Sequence, residues 1–128
     1  MTNWIKWILI VIYVCACNTP DILDMDKEQW INDENGCMGY RAKVYPNILK
    51  EKEKLMGLSN DRIIQLLGQP NINELYTRNQ KFFVYRISSD STCSGVDAPD
   101  SDLFIIFRFN ATGLVNEIYQ NDMASPTE

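Results

Sequence analysis

Short N-terminal helices packed on one face of a three- to four-stranded antiparallel sheet, an α+β arrangement, is the fold class this sequence predicts. Apolar residues recur at helical spacing up to Pro70 and at a period of two after Asn73. The two firmest period-two runs, KFFVYRIS and DLFIIFRFN, are separated by polar turn residues, and NATG leads the second into LVNEIYQ. Helices followed by consecutive strands gather the helices on one side of the sheet.

Before the domain comes an address. MTNWIK precedes WILIVIYV, one positive charge followed by eight apolar or aromatic residues, which is the plan of a secretory signal. From Trp7 to Cys17 there are 11 uncharged residues, against the roughly 20 that a spanning helix needs. A buried N-terminal strand or helix is the alternative, and the abrupt change to the polar NTPDILDMDKE argues against it. Val14-Cys15-Ala16-Cys17 resembles the bacterial lipobox, with an aliphatic residue at −3, a small residue at −1 and cysteine at +1. The resemblance implies cleavage before Cys17, so that residues 1–16 are a signal peptide, Cys17 is the lipidation site and residues 17–25 form a tether. Acyl chains add about 0.8 kcal/mol per buried CH₂, so such an anchor holds the chain to the membrane. Asn18 is not the aspartate that retains such proteins at the inner membrane of enteric-type bacteria, which implies an outer-membrane, periplasm-facing location.

Cleavage would leave 112 of 128 residues, enough for one domain over 26–122 with a short tail at 123–128. It would also remove Lys6, so 11 basic side chains face 17 acidic ones, a net charge of 11 − 17 = −6. Nothing forms a basic stripe, which excludes a nucleic-acid partner. Two cysteines besides Cys17 remain, Cys37 and Cys93, 56 residues apart. An exported compartment favours a disulfide between them over two free thiols, and closing that loop would stabilise by about 4 kcal/mol. There is no histidine, and two distant thiols do not make a zinc site. No metal and no cofactor is expected.

Asp26 is placed to cap a short helix running to about Asp33, with Glu28 in its first turn and Trp30 and Ile31 as its apolar contribution. ENGCMG breaks it. A second helix is expected to start near Pro46, where proline suits the first turn. Val44/Ile48 and Tyr45/Leu49 are spaced i,i+4, with Leu55 and Met56 a heptad beyond, and KEKEK is its wet face. In GLSNDRIIQLLGQP, Ser59 caps, Asp61 lies in the first turn, Ile63/Leu67 form an apolar pair, Gly68 ends the helix and Pro70 prevents continuation. It lacks the closely spaced glycines and Lys-Ser/Thr of a nucleotide loop.

NELYTR makes a short strand. In KFFVYRIS, Phe83, Tyr85 and Ile87 share one face, and Phe82 and Val84 the other. DLFIIFRFN sets Leu103, Ile105, Phe107 and Phe109 against Phe104, Ile106 and Arg108. In LVNEIYQ, Leu114, Asn116 and Ile118 alternate with Val115, Glu117 and Tyr119. The first face of the two firm strands should meet the Ile63/Leu67 helix. The second face, Phe82, Val84, Phe104 and Ile106, is too apolar for ordinary solvent-facing positions. Two readings stand: the segment with Trp30 folds over it, or it is open for a protein partner with Arg86 and Arg108 as its rim.

GLSNDRIIQLLGQP resembles the signature of the SmpA/OmlA (BamE-like) family of outer-membrane lipoproteins through Gly57, Leu58, Ser59, Ile63, Leu66, Leu67, Gly68 and Pro70. The likeness extends loosely through Tyr85 to LFIIFRFNATGLVNEI and covers about residues 48–120. INDENGCMGYRAK and the 88–101 loop depart from the family pattern. The resemblance implies two helices against a three-stranded antiparallel sheet and a role in holding together outer-membrane protein assembly. The expected function is therefore a non-enzymatic envelope lipoprotein, a scaffold or protein-binding module attached to the membrane through Cys17. An inhibitor-like or small-ligand-binding lipoprotein is the alternative. Absence of histidine removes the usual proton shuttle at neutral pH, so no catalytic residue is assigned. Asp97, Asp100 and Asp102 read as solvated turn residues, with a weak calcium site as the functional alternative.

Overall fold

A computed structural model describes residues 22–89, 93 and 102–123. The signal peptide, Cys17, most of the tether, Asp97, Asp100 and residues 124–128 lie outside the described residues. Leu23 is buried, and Ile22 and Met25 pack against the core.

Helix α1 spans Lys27–Asn32. The Asp26 carboxylate accepts from the Glu28 and Gln29 N–H groups at 3.0 and 3.3 Å, which satisfies donors that have no partner within the helix. Trp30 is fully buried, but Ile31 is exposed, so only one of the two expected apolar residues serves the core. Helix α2 spans Tyr40–Lys50 and carries Pro46 inside it, so it starts six residues before the proline expected to begin it. Pro46 and Ala42, whose carbonyl would have accepted from residue 46, are both exposed, so water can satisfy that carbonyl. Burying Val44 and Ile48 on the opposite side, roughly 1.5–3 kcal/mol each, offsets the proline. Asp33 starts the helix, its carboxylate accepting from Met38 and Arg41 N–H at 2.8 and 2.9 Å. A break at Glu51 separates the short α3, Lys52–Leu55, whose Leu55 is buried while Met56 is exposed. Helix α4, Asn60–Leu67, forms as its sequence predicts. Ser59 accepts from Arg62 N–H at 3.2 Å, and Ile63 and Leu67 are buried.

The four strands are β1 Ile72–Leu75, β2 Lys81–Ser88, β3 Leu103–Phe109 and β4 Val115–Asn121. They form an open antiparallel sheet in the order β1-β2-β3-β4. Phe83 lies opposite Phe107 and Val84 opposite Ile106, so the faces read from alternation match across the two central strands. Alternation fails in β4. Phe109 pairs with Val115 and Arg108 with Glu117, which leaves Asn116 in a bulge. Val115 and Ile118 therefore reach the same core, although strict alternation puts them on opposite faces.

That main core lies between the helices and one sheet face, and includes Trp30, Ile48, Leu55, Ile63 and Leu67 against Phe83, Tyr85, Ile105 and Phe107. The Gly57–Pro70 stretch ties the helices to β4. Gly57 N–H donates to Val115 O at 2.8 Å, and Val115 N–H donates to Leu58 O at 2.9 Å. Tyr85 hydroxyl donates to Gly68 O at 2.9 Å. Among the described residues no helix is long and apolar enough to cross a membrane.

Candidate functional site

Two places hold more chemistry than a small core requires: the sheet face turned away from the helices, and the turn between α1 and α2.

The period-two pattern of β2 and β3 puts Phe82, Val84, Phe104 and Ile106 together in a second cluster, flanked by the partly buried Ile72, Tyr76 and Tyr119. Trp30 belongs to the opposite face, where its ring centroid lies 6.1 Å from that of Tyr85, so it does not cover this one. Nor is the face an open apolar patch. The four side chains are 4, 0, 5 and 0 % exposed, and a partner could touch them only after other atoms moved away. The expected contact surface is thereby reduced to its rim. Arg86 and Arg108 are half-buried, with their guanidinium carbons 5.8 Å from the Phe104 ring and 5.9 Å from the Phe82 ring. This placement sets each positive charge beside an aromatic ring, and Arg86 Nη1 also donates to Asn35 Oδ1 at 3.3 Å while its Nε is buried. Arg108 also donates to Gln80 Oε1 at 2.8 Å and pairs with Glu117 at 3.3 Å.

The turn at 33–39 is held by a residue that sequence reasoning did not single out. Arg41 is 2 % exposed. Its Nε donates to Trp30 O at 2.9 Å, and its Nη1 donates to Asn71 Oδ1 and Arg86 O at 3.0 and 2.9 Å. The guanidinium lies 4.6 Å from the centre of the Trp30 ring. Asn71 works in both directions, accepting from Arg86 N–H and donating to Glu34 O, each at 2.8 Å. Burial draws the Arg41 pKa down to about 10, with the Asp33 carboxylate opposing the shift, so the group is still charged at neutral pH. Burial also pushes the Tyr85 phenol above its ordinary range, opposed by Arg41. Both groups are walled into the core, which makes them structural rather than poised for proton transfer. The one sequence signal for Arg41 was its place in GYRAK beside a tryptophan and two glycines.

The same turn carries the predicted bridge. Cys37 and Cys93 are disulfide-bonded, with Cα atoms 5.3 Å apart. Gly36, at φ +71°, lies so close to β2 that an added Cβ would stand 2.2 Å from Ile87 O, so only glycine lets the turn approach the strand.

A hollow of about 290 Å³ opens between residues 22–25 and α2, with Leu23, Val44 and Ile48 on its wall and Asn47, Lys50, Glu51 and Lys54 among its polar lining. Lys54 is paired with Glu51 at 2.8 Å, and Asp24 and Lys50 add one charge of each sign to the lining. No group of three or more metal-ligating side chains occurs among the described residues. The structure brings together Phe82, Val84, Phe104 and Ile106 with Arg86 and Arg108, and separately joins Cys37 to Cys93. Gly57, Leu58, Ser59, Ile63, Leu66, Leu67, Gly68 and Pro70 form the helix-to-sheet junction. No protein-family model, no curated protein and no solved structure matches the chain.

Proposed function

We propose that the chain is a non-enzymatic envelope lipoprotein of the SmpA/OmlA (BamE-like) kind, anchored through Cys17 at the outer membrane and facing the periplasm. It would act there as a scaffold or protein-binding module in outer-membrane protein assembly. The observation that carries this reading is the Cys37–Cys93 bridge. A disulfide suits an oxidising compartment outside the cytoplasm, the destination implied by Lys6, the short apolar run after it and VCAC. The order of elements adds support, with helices first and consecutive antiparallel strands after. Fold likeness alone does not carry a role. For the role, the support is the rim of the second sheet face, where Arg86 and Arg108 hold charge over aromatic rings, a composition common in protein contacts.

The small-ligand reading keeps one observation of its own, the hollow beside Leu23 and Val44. Its volume of about 290 Å³ lies at the lower limit for ligand sites.

The test is recovery of partners from cells that make the chain at its natural level, after brief crosslinking and detergent extraction. A specific envelope protein should be recovered with the natural chain and lost with Arg86→Ala/Arg108→Ala, while the thermal melt stays close to that of the natural chain. Equal recovery with both chains would remove the rim from the reading. Recovery of no envelope protein would remove the binding role.

A further inference from the structure

The bridge and the turn it fastens are not one support but two, and they lie on different sides of the turn. On the inner side, Arg41 joins Trp30 O, Asn71 and Arg86 O, Asp33 caps α2, and Gly36 rests on Ile87. All of these contacts are made by groups other than sulfur, and Arg41, Asp33 and Gly36 are buried. On the outer side, Cys37 is exposed and Cys93 half-buried. Attack on a disulfide requires a thiolate to reach one sulfur, and Cys37 is the more exposed of the two residues.

We propose that Cys37–Cys93 is a reversible redox site on a turn that stays folded when the bond opens, and that its partner is a protein dithiol of the thioredoxin-like class. The dithiol's thiolate attacks Cys37 Sγ. The Sγ–Sγ bond breaks, and Cys93 leaves as a thiolate that takes a proton. The second thiol of the dithiol then attacks the mixed disulfide and releases Cys37 as a thiol. Two electrons and two protons pass to this chain, and the dithiol becomes a disulfide. The reverse sequence, with an oxidised partner of the same class, closes the bond. Opening frees residue 93 from the Asn35 turn and leaves the Arg41 contacts in place.

The full chain is incubated in native buffer with dithiothreitol as the probe, then alkylated and digested to follow the peptides that carry Cys37 and Cys93. Near-ultraviolet circular dichroism, read against Trp30→Phe, follows the buried Trp30 in the same sample. Both cysteines should become alkylated within minutes at millimolar reductant while the Trp30 signal persists. Cys37→Ser/Cys93→Ser should keep the tryptophan fine structure, losing only the disulfide's own contribution to the spectrum, and melt lower by roughly 10–20 °C, the loss of loop closure alone. A bond that resists until denaturant is added overturns the proposal, as does loss of the Trp30 signal on reduction or in the double variant. The N-terminal mass of the chain, which decides the lipoprotein reading, does not enter either measurement.

Discussion

The two faces of the sheet are built from the same two strands and are equally apolar at their centres, yet they are completed differently. The face carrying Phe83, Tyr85, Ile105 and Phe107 is closed by four helices whose apolar stripes match it. The face carrying Phe82, Val84, Phe104 and Ile106 is buried without a contribution from any of those helices. Among the described residues its neighbours are Ile72, Tyr76 and Tyr119, with Arg86 and Arg108 over its rings. Alternation in a strand assigns side chains to a face but says nothing about what completes that face. Helical periodicity elsewhere must supply that, and here it supplies one cover.

The largest expected effect lies on the helix side. Trp30→Ala removes a fully buried ring that meets both Tyr85 and Arg41, and should cost about 3–5 kcal/mol in denaturant unfolding. On the other face, Ile106→Ala should cost about 2 kcal/mol or more, because Ile106 is fully buried too. A loss below about 0.5 kcal/mol would show that the second face behaves as surface, and the contrast would then become one of core against exterior.

Tyr85→Phe gives a smaller change with a pH signature. Near neutral pH it loses the hydrogen bond to Gly68 O, about 1 kcal/mol. Burial holds the Tyr85 proton in the folded chain, while the unfolded chain releases it near the ordinary value of 10. Stability from this group is therefore present below pH 10 and falls above it, by up to about 1.4 kcal/mol per pH unit. Arg41 acts in the opposite sense between about 10 and 12.5, because there the unfolded chain keeps a proton that the folded chain has lost. Since Tyr85→Phe removes only the first effect, its deficit should shrink and then reverse as unfolding is measured from pH 8 to pH 11. A constant deficit would mean that the phenol is not shielded.

Arg108→Ala should have the smallest effect. Its pair with Glu117 is largely solvated, so the loss should be under about 1 kcal/mol by thermal melt. A larger loss would mean that its stem helps to keep Phe82 and Ile106 dry.

What could be read from the sequence is what repeats. Ser59, Ile63, Leu67 and Gly68 define α4 by capping and spacing, and β2 and β3 declare their faces by alternation. What escaped depends on single contacts made across the fold. Pro46 is tolerated within α2 because it faces water, which local preference cannot foresee. Asn116 bulges because the Asn110–Gly113 turn sets the register of β4, shifting Val115 into the core. Arg41 looks like any helix-surface cation until Trp30, Asn71 and the end of β2 close around it. Trp30 is apolar enough to join either face, and its partner is decided by that arginine and by Tyr85. Of the candidate site, the cysteine pair was legible from compartment and count, and a covered second face was one of two readings, but Trp30 as its cover was wrong, because no sequence period reports which face a lone aromatic joins.

The measurement that bears most directly on the proposed envelope role is the intact mass of the protein extracted from membranes of cells that process it naturally. The expected result is a chain beginning at Cys17 and carrying acyl additions. A mature chain that retains Cys15, or a soluble chain without lipid, would contradict it.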